Sequence, residues 1–139
     1  METGLKILNY FSAVKIIWMI ENNTQIKQDL LKNECLFGNV DSWIIFNLTK
    51  GLHYTDITNA SRTLLMDIRT GKWSESLCQK MNIPINSLPE IKDSSDFFGI
   101  CKDEELKGIP ITGVLGDQQA SCLGHLLDVG QAKCTYGTG

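Results

Sequence analysis

Near the C-terminus, Ile111-Thr112-Gly113-Val114-Leu115-Gly116 runs straight into Asp117-Gln118-Gln119, and residues 120–127 then read as a helix. An extended apolar run, a glycine, a polar cluster and a helix, in that order, form the strand-to-helix junction of an open α/β sheet. Ligands of such sheets sit beyond the carboxyl ends of the strands. A second β-type run follows over residues 132–136 and breaks into Gly137-Thr138-Gly139. Glycines let a backbone approach a phosphate closely, and a threonine hydroxyl adds a donor. An acid at one strand exit and a phosphate-type turn at the next point to phosphoryl transfer. Each half also has a plainer reading. Asp117 fits the residue that opens a helix, and Gly-Thr-Gly turns occur in many hairpins.

The 139 residues are enough for one modest domain. A composition of 42% hydrophobic and 21% charged residues is that of an ordinary globular chain, not a disordered or membrane-embedded one. The net charge of −3 gives no electrostatic case for nucleic acid or an anionic membrane surface. No apolar run approaches the roughly 20 residues of a membrane span, and no signal peptide opens the chain. The five cysteines are odd in number and form no Cys-x-x-Cys pair, and the two histidines lie far apart in sequence. A disulfide framework or zinc site is therefore not expected, and reduced thiols imply a cytoplasmic protein.

In chain order, Ser12 is expected to cap a helix carrying Val14, Ile17, Trp18 and Ile20. A second short helix carries Ile26, Leu30 and Leu31 and is expected to stop at Phe37-Gly38. Asp41 is expected to cap a third, ending before Gly51. Residues 53–63 are dense in short polar side chains, which bond local backbone well, and predict a structured turn with a helical start. Asn59, Ser61 and Arg62 are read as bracing that turn. Residues 64–68 and 97–100 are strand candidates, Ser74 opens another helix, and Pro84 and Pro89 bracket a connection. The three tryptophans are expected in the core or at a domain edge, and His125 as a satisfied structural histidine. The acidic residues 103–105 read as a solvated loop. The pattern alone reaches α/β with an incomplete sheet and a polar site at Asp117.

Five stretches carry a more specific resemblance. They are Tyr10-Phe11-Ser12 through Lys15 and Trp18; Phe37-Gly38-Asn39-Val40-Asp41-Ser42-Trp43; Thr55-Asp56-Ile57-Thr58-Asn59-Ala60-Ser61-Arg62-Thr63; Gly116-Asp117-Gln118-Gln119; and Thr135-Tyr136-Gly137-Thr138-Gly139. In this order they resemble the glycerol kinases of the FGGY carbohydrate kinase family, over essentially the whole chain. The resemblance implies the ribonuclease-H-like fold of actin and hexokinase-type ATPases, with a cleft between two domains. Residues 1–127 would form the C-terminal part of the glycerol-binding domain, and 128–139 the start of the nucleotide-binding domain.

The resemblance also implies ATP-dependent phosphorylation of glycerol with Mg2+. Asp117 corresponds to the general base, Tyr10 and Gln118 to residues that hydrogen-bond glycerol, and Gly137 and Thr138 to nucleotide contacts. The partners implied are glycerol and ATP/ADP, with a homo-oligomer as the full-length form. Family members carry a Gly-Thr-Thr-Ser phosphate hairpin and an Arg-Glu pair upstream of these motifs, and neither is in this sequence; Cys134 stands where Asn is usual. The expectation is a fragment without kinase activity by itself. Another polyol or sugar kinase of the family, and a non-catalytic interaction fragment, are the alternatives.

Overall fold

The computed structural model describes residues 2–137. Thr138 lies outside them, and so does Gly139. Helix α1 spans Ser12–Asn22 and buries Ala13 and Ile16. Ser12 is its first residue rather than its cap, because the backbone N–H of Ala13 is already satisfied by the carbonyl of Thr63 at 2.9 Å. The Ser12 hydroxyl donates instead to Asn39 Oδ1 at 2.7 Å. Helix α2, Thr24–Leu31, is capped by Asn23, whose side chain accepts from the backbone of Gln25 and Ile26. It stops at Leu31, with Asn33 in the left-handed region two residues on, and not at Phe37-Gly38. Phe37 is drawn away from the helix by the core, where it is 6% exposed, and its N–H donates to the Ser87 carbonyl at 2.8 Å.

Helix α3, Val40–Thr49, follows Asn39 and carries Asp41 in its first turn, where the helix dipole favours an acid. It ends at Lys50 (φ 57°) and Gly51 (φ 132°). Ser42, Ile45 and Thr49 face inward, while Val40, Trp43 and Ile44 are exposed. Trp43 and Trp18 are therefore not core residues in this chain. Trp73 is half-buried, and its indole N–H donates to the Pro89 carbonyl at 2.7 Å.

Strand β1, Tyr54–Asp56, leads directly into the single turn α4, Ile57–Ala60. The strand expected over residues 64–68 contracts to β2, Met66–Asp67, because Leu64 adopts a φ of 66° that no strand continues through. β2 pairs antiparallel with β3, Lys72–Trp73. Across the turn between them Arg69 grips Asp67 through Nε and Nη2, at 2.9 and 2.6 Å. Those hydrogen bonds hold the Asp67 carboxyl down to about 2. Ser74 caps α5, Glu75–Lys80, by accepting from Leu77 N–H. Directly after Pro89 comes β4, Glu90–Lys92, which pairs parallel with β1 in register Tyr54 to Glu90 and Asp56 to Lys92. β5, Gly99–Ile100, pairs antiparallel with β6, Pro110–Ile111. Helix α6, Asp117–Gly124, closes the ordered elements.

One apolar cluster joins Phe11, Ala13 and Ile16 of the α1 region to Leu30, Phe37, Leu64, Leu65, Cys78, Ile83 and Leu88. Each large side chain fully buried there contributes roughly 1.5–3 kcal/mol of transfer free energy. Among the described residues no helix is long and apolar enough to cross a membrane.

Candidate functional site

The run expected as a strand before Asp117 keeps ladder pairing only at Pro110 and Ile111. Beyond them it is held by single contacts: Val114 N–H donates to the Ser94 carbonyl at 3.0 Å, and Gly116 N–H to Thr58 Oγ1 at 2.7 Å. Gly116 is the extended cap of α6 (φ −63°, ψ 149°), and its carbonyl accepts from Ala120 N–H at 2.9 Å. Asp117 is thus the first helical residue, solvent-exposed, where the positive end of the helix favours a carboxylate. Its Oδ1 accepts from the backbone of Gln118 at 2.8 Å. A Cβ at position 116 would lie 2.8 Å from Gln119 Oε1, so a side chain there would have to displace the Gln119 amide, while Thr58 Oγ1 would stand at an ordinary contact of 3.4 Å.

Gln118 Oε1 accepts from Lys133 Nζ at 2.8 Å and from Thr135 Oγ1 at 3.1 Å. With Cys122, Cys134 and Gly137 these residues line an open groove on the outer side of α6. Gln118 and Gly137 are therefore brought together. Tyr10 is not among the residues lining that groove; it is 72% exposed and packs edge-on against Phe11, with ring centroids 5.3 Å apart. The Arg62 guanidinium lies 5.0 Å from the centroid of the Phe11 ring. Residues 132–137 form no strand, and His125 is exposed at the end of α6 rather than packed.

Behind Asp117 is a hub that the motif pattern did not single out. Asp56 is 0% exposed and caps α4. Its Oδ2 accepts from Thr58 N–H (3.0 Å), Thr58 Oγ1 (2.6 Å) and Ser94 Oγ (2.7 Å). Its Oδ1 accepts from Asn59 N–H (3.0 Å) and Asn59 Nδ2 (2.7 Å). Burial pushes this carboxyl up, but the bonds from Thr58, Ser94 and Asn59 outweigh it and hold the group below its ordinary range. An acid three residues before Asn59 in a dense polar run is the available sequence signal for such a cap. Asn59 serves as the bracing residue expected of it, and Ser61 does too, its hydroxyl donating to the Thr58 carbonyl at 2.7 Å.

A second concavity, of about 170 Å³, opens between α1 and α3 and is lined by Ser12, Lys15, Asn39, Ser42, Thr55 and Trp73, among others. Thr55 Oγ1 there donates to Asp41 Oδ2 at 2.5 Å. Burial, against that hydrogen bond, pushes the Asp41 carboxyl up. On the far wall of α3, His53 Nε2 lies 2.9 Å from the Phe37 carbonyl. Since a carbonyl only accepts, this nitrogen carries a proton. Burial pushes the His53 pKa down, partly offset by the Phe37 carbonyl.

Residues 1–124 match the N-terminal domain of the FGGY family of carbohydrate kinases. The chain belongs to this family. Its FGGY relatives include a probable glycerol kinase of Caenorhabditis elegans, 47% identical over 99% of this chain and 28% of that protein. A glycerol kinase of Arabidopsis thaliana is 45% identical over 98% of this chain and 27% of its own length. The chain thus spans little more than a quarter of these relatives. Among solved structures, the glycerol kinase of Plasmodium falciparum with ADP superposes with a TM-score of 0.87 at 50% identity, over 90% of this chain and 26% of that one. A gluconate kinase from Lactobacillus acidophilus, at 22% identity and a TM-score of 0.72, shares the fold. The α/β, actin- and hexokinase-like fold is the one these FGGY kinases have.

Proposed function

We propose that this chain is the segment of an ATP-dependent glycerol kinase that supplies the general base, Asp117, and part of the glycerol site. The observation that carries the reading is Asp117 itself, an exposed carboxylate at a helix start beyond a strand exit, in a chain similar to glycerol kinases at 45–50% identity. In this role the carboxylate takes the proton of a glycerol hydroxyl as its oxygen attacks the γ-phosphorus of ATP. Such a base supplies roughly 10²–10⁴-fold in rate. Gln118 and Tyr10 are the side chains for the remaining hydroxyls. A triol carries no charge, so recognition rests on hydrogen bonds whose loss penalises an analogue lacking one hydroxyl. Gly137 and Thr138 approach the nucleotide phosphates, at the start of a second domain from residue 128. Among the described residues no three His, Cys, Asp or Glu side chains converge on a cation site. Mg2+ accompanies the nucleotide in this reading, held largely by the substrate phosphates and water rather than by a protein cage. The setting is a cytoplasmic enzyme that works as a homo-oligomer.

The test is a chimera in which this chain replaces the matching quarter of the Plasmodium falciparum glycerol kinase. ADP release is followed in a coupled assay with glycerol or D-xylulose. Glycerol-dependent turnover is expected, with Asp117→Asn lowering kcat by about 10²–10⁴-fold, and none from the 139-residue chain alone. Full speed with Asn at position 117, or preference for the pentulose, refutes the reading.

A further inference from the structure

The turn that presents Asp117 does not hold itself. Gly116 N–H, the residue immediately before Asp117, donates to Thr58 Oγ1 at 2.7 Å, and that hydroxyl donates its own proton to Asp56 Oδ2 at 2.6 Å. We infer that Asp56, acting through the Thr58 hydroxyl, is the positioning residue that fixes where the Asp117 carboxylate stands. This rests on Asp117 being the base.

A hydroxyl has one proton, and a buried carboxylate that takes it leaves the oxygen lone pairs facing the other way. They face Gly116 N–H, a donor that helix α6 does not use. Asp56 is itself immobilised: it is completely buried, and Thr58 N–H, Asn59 N–H, Asn59 Nδ2 and Ser94 Oγ occupy its remaining acceptor sites. The same unit grips the chain a second time two residues earlier, where the Ser94 carbonyl accepts from Val114 N–H at 3.0 Å. The peptide entering Asp117 is therefore fastened at two points to one buried anion and the serine that donates to it. Displacements near 1 Å at a reacting group can cost about 10²-fold in rate, so a relay of this kind acts on turnover more than on affinity.

The experiment uses the same chimera, with Thr58→Val (same shape, no hydroxyl), Thr58→Ser (hydroxyl restored) and Ser74→Ala as a comparably destabilising change at the distant α5 cap. Thr58→Val should lower kcat by about 10–100-fold while KM for glycerol moves less than about threefold. Thr58→Ser should recover kcat to within about threefold of the parent, and Ser74→Ala should leave it there. Amide hydrogen exchange over residues 114–118, measured in the chimera and in the 139-residue chain, should accelerate in Thr58→Val and return in Thr58→Ser. Retention of kcat by Thr58→Val, equal losses in Thr58→Val and Ser74→Ala, or failure of Thr58→Ser to rescue overturns the inference. If the parent chimera shows no glycerol-dependent turnover, kcat carries no information about the relay. Exchange at Gly116 then decides the relay alone, and unchanged protection in Thr58→Val overturns it.

Discussion

Removing the Asp56 carboxylate is the most discriminating perturbation of this fold. In Asp56→Ala, two backbone donors at the start of α4, the N–H groups of Thr58 and Asn59, lose their acceptor inside the protein. Each unsatisfied buried donor costs about 1–3 kcal/mol. The hydroxyls of Thr58 and Ser94 can rotate to new partners and add little. The total is about 2–6 kcal/mol, a large share of the roughly 5–15 kcal/mol that holds a domain together. Asp56→Asn is milder. With its amide nitrogen at the Oδ2 position, both hydroxyls can turn and accept, its oxygen still serves Asn59, and only Thr58 N–H is orphaned. That costs about 1–3 kcal/mol.

The pH dependence adds an independent sign. The folded pKa of Asp56 lies below its ordinary value, so its stabilisation is complete above the unfolded value of about 3.9 and is lost as pH falls through the depressed one. Asn at position 56 should flatten the acid limb of stability. Urea unfolding followed by circular dichroism, from pH 7 down to pH 3, reads both effects. An alanine variant within about 1 kcal/mol of the parent, or costing no more than the asparagine variant, would show that the hub does not carry this energy.

Two further outcomes follow from residues away from the hub. Phe98, 0% exposed and tied to Ile111 by a 2.9 Å backbone bond, should cost about 3–5 kcal/mol when cut to alanine; a shift in the urea midpoint worth less than about 1.5 kcal/mol would contradict its place in the packing. His53 has a folded pKa below the ordinary value, so its contribution is present above about pH 6.5 and is lost as pH falls through the lowered pKa. NMR titration should place it below a free histidine, and His53→Gln, which keeps a donor for Phe37, should remove that part of the slope between pH 7 and 5; a ring titrating at or above the free value would refute the assignment.

What could be read from the residues was whatever local chemistry decides. The helices around Ile16 and Leu30 follow from apolar spacing, the one around Ile45 from its stop before Gly51, Ser74 caps α5 as its position predicts, and the polar run at residues 53–63 folds into a braced turn. The strands were harder. β1 and β4 are three residues each and pair with one another across thirty-odd residues, a partnership no local pattern encodes. The stretch before Asp117 is apolar enough for a strand, yet its bonds beyond Ile111 go to a hydroxyl and to a loop carbonyl. Ser12 and Asp41 look like caps but are diverted to tertiary partners, Asn39 and Thr55. At the site, Asp117 and Gln118 were legible as types in a pattern, whereas Asp56 was hidden because its role depends on Ser94 and Gly116, far along the chain.

The contact between Thr58 and Gly116 also sets a schedule. It closes a loop of 58 residues, and the bond from Ser94 to Asp56 closes one of 38. Closures that long form only after nearer pieces have gathered, since their entropy must be met before they return anything. The loop carrying Asp117 is therefore shaped at the end of the folding process, by a chain already assembled around residue 56. A nascent chain therefore acquires its helices first and the corner at Asp117 last, and one missing either half of that contact does not acquire the corner at all.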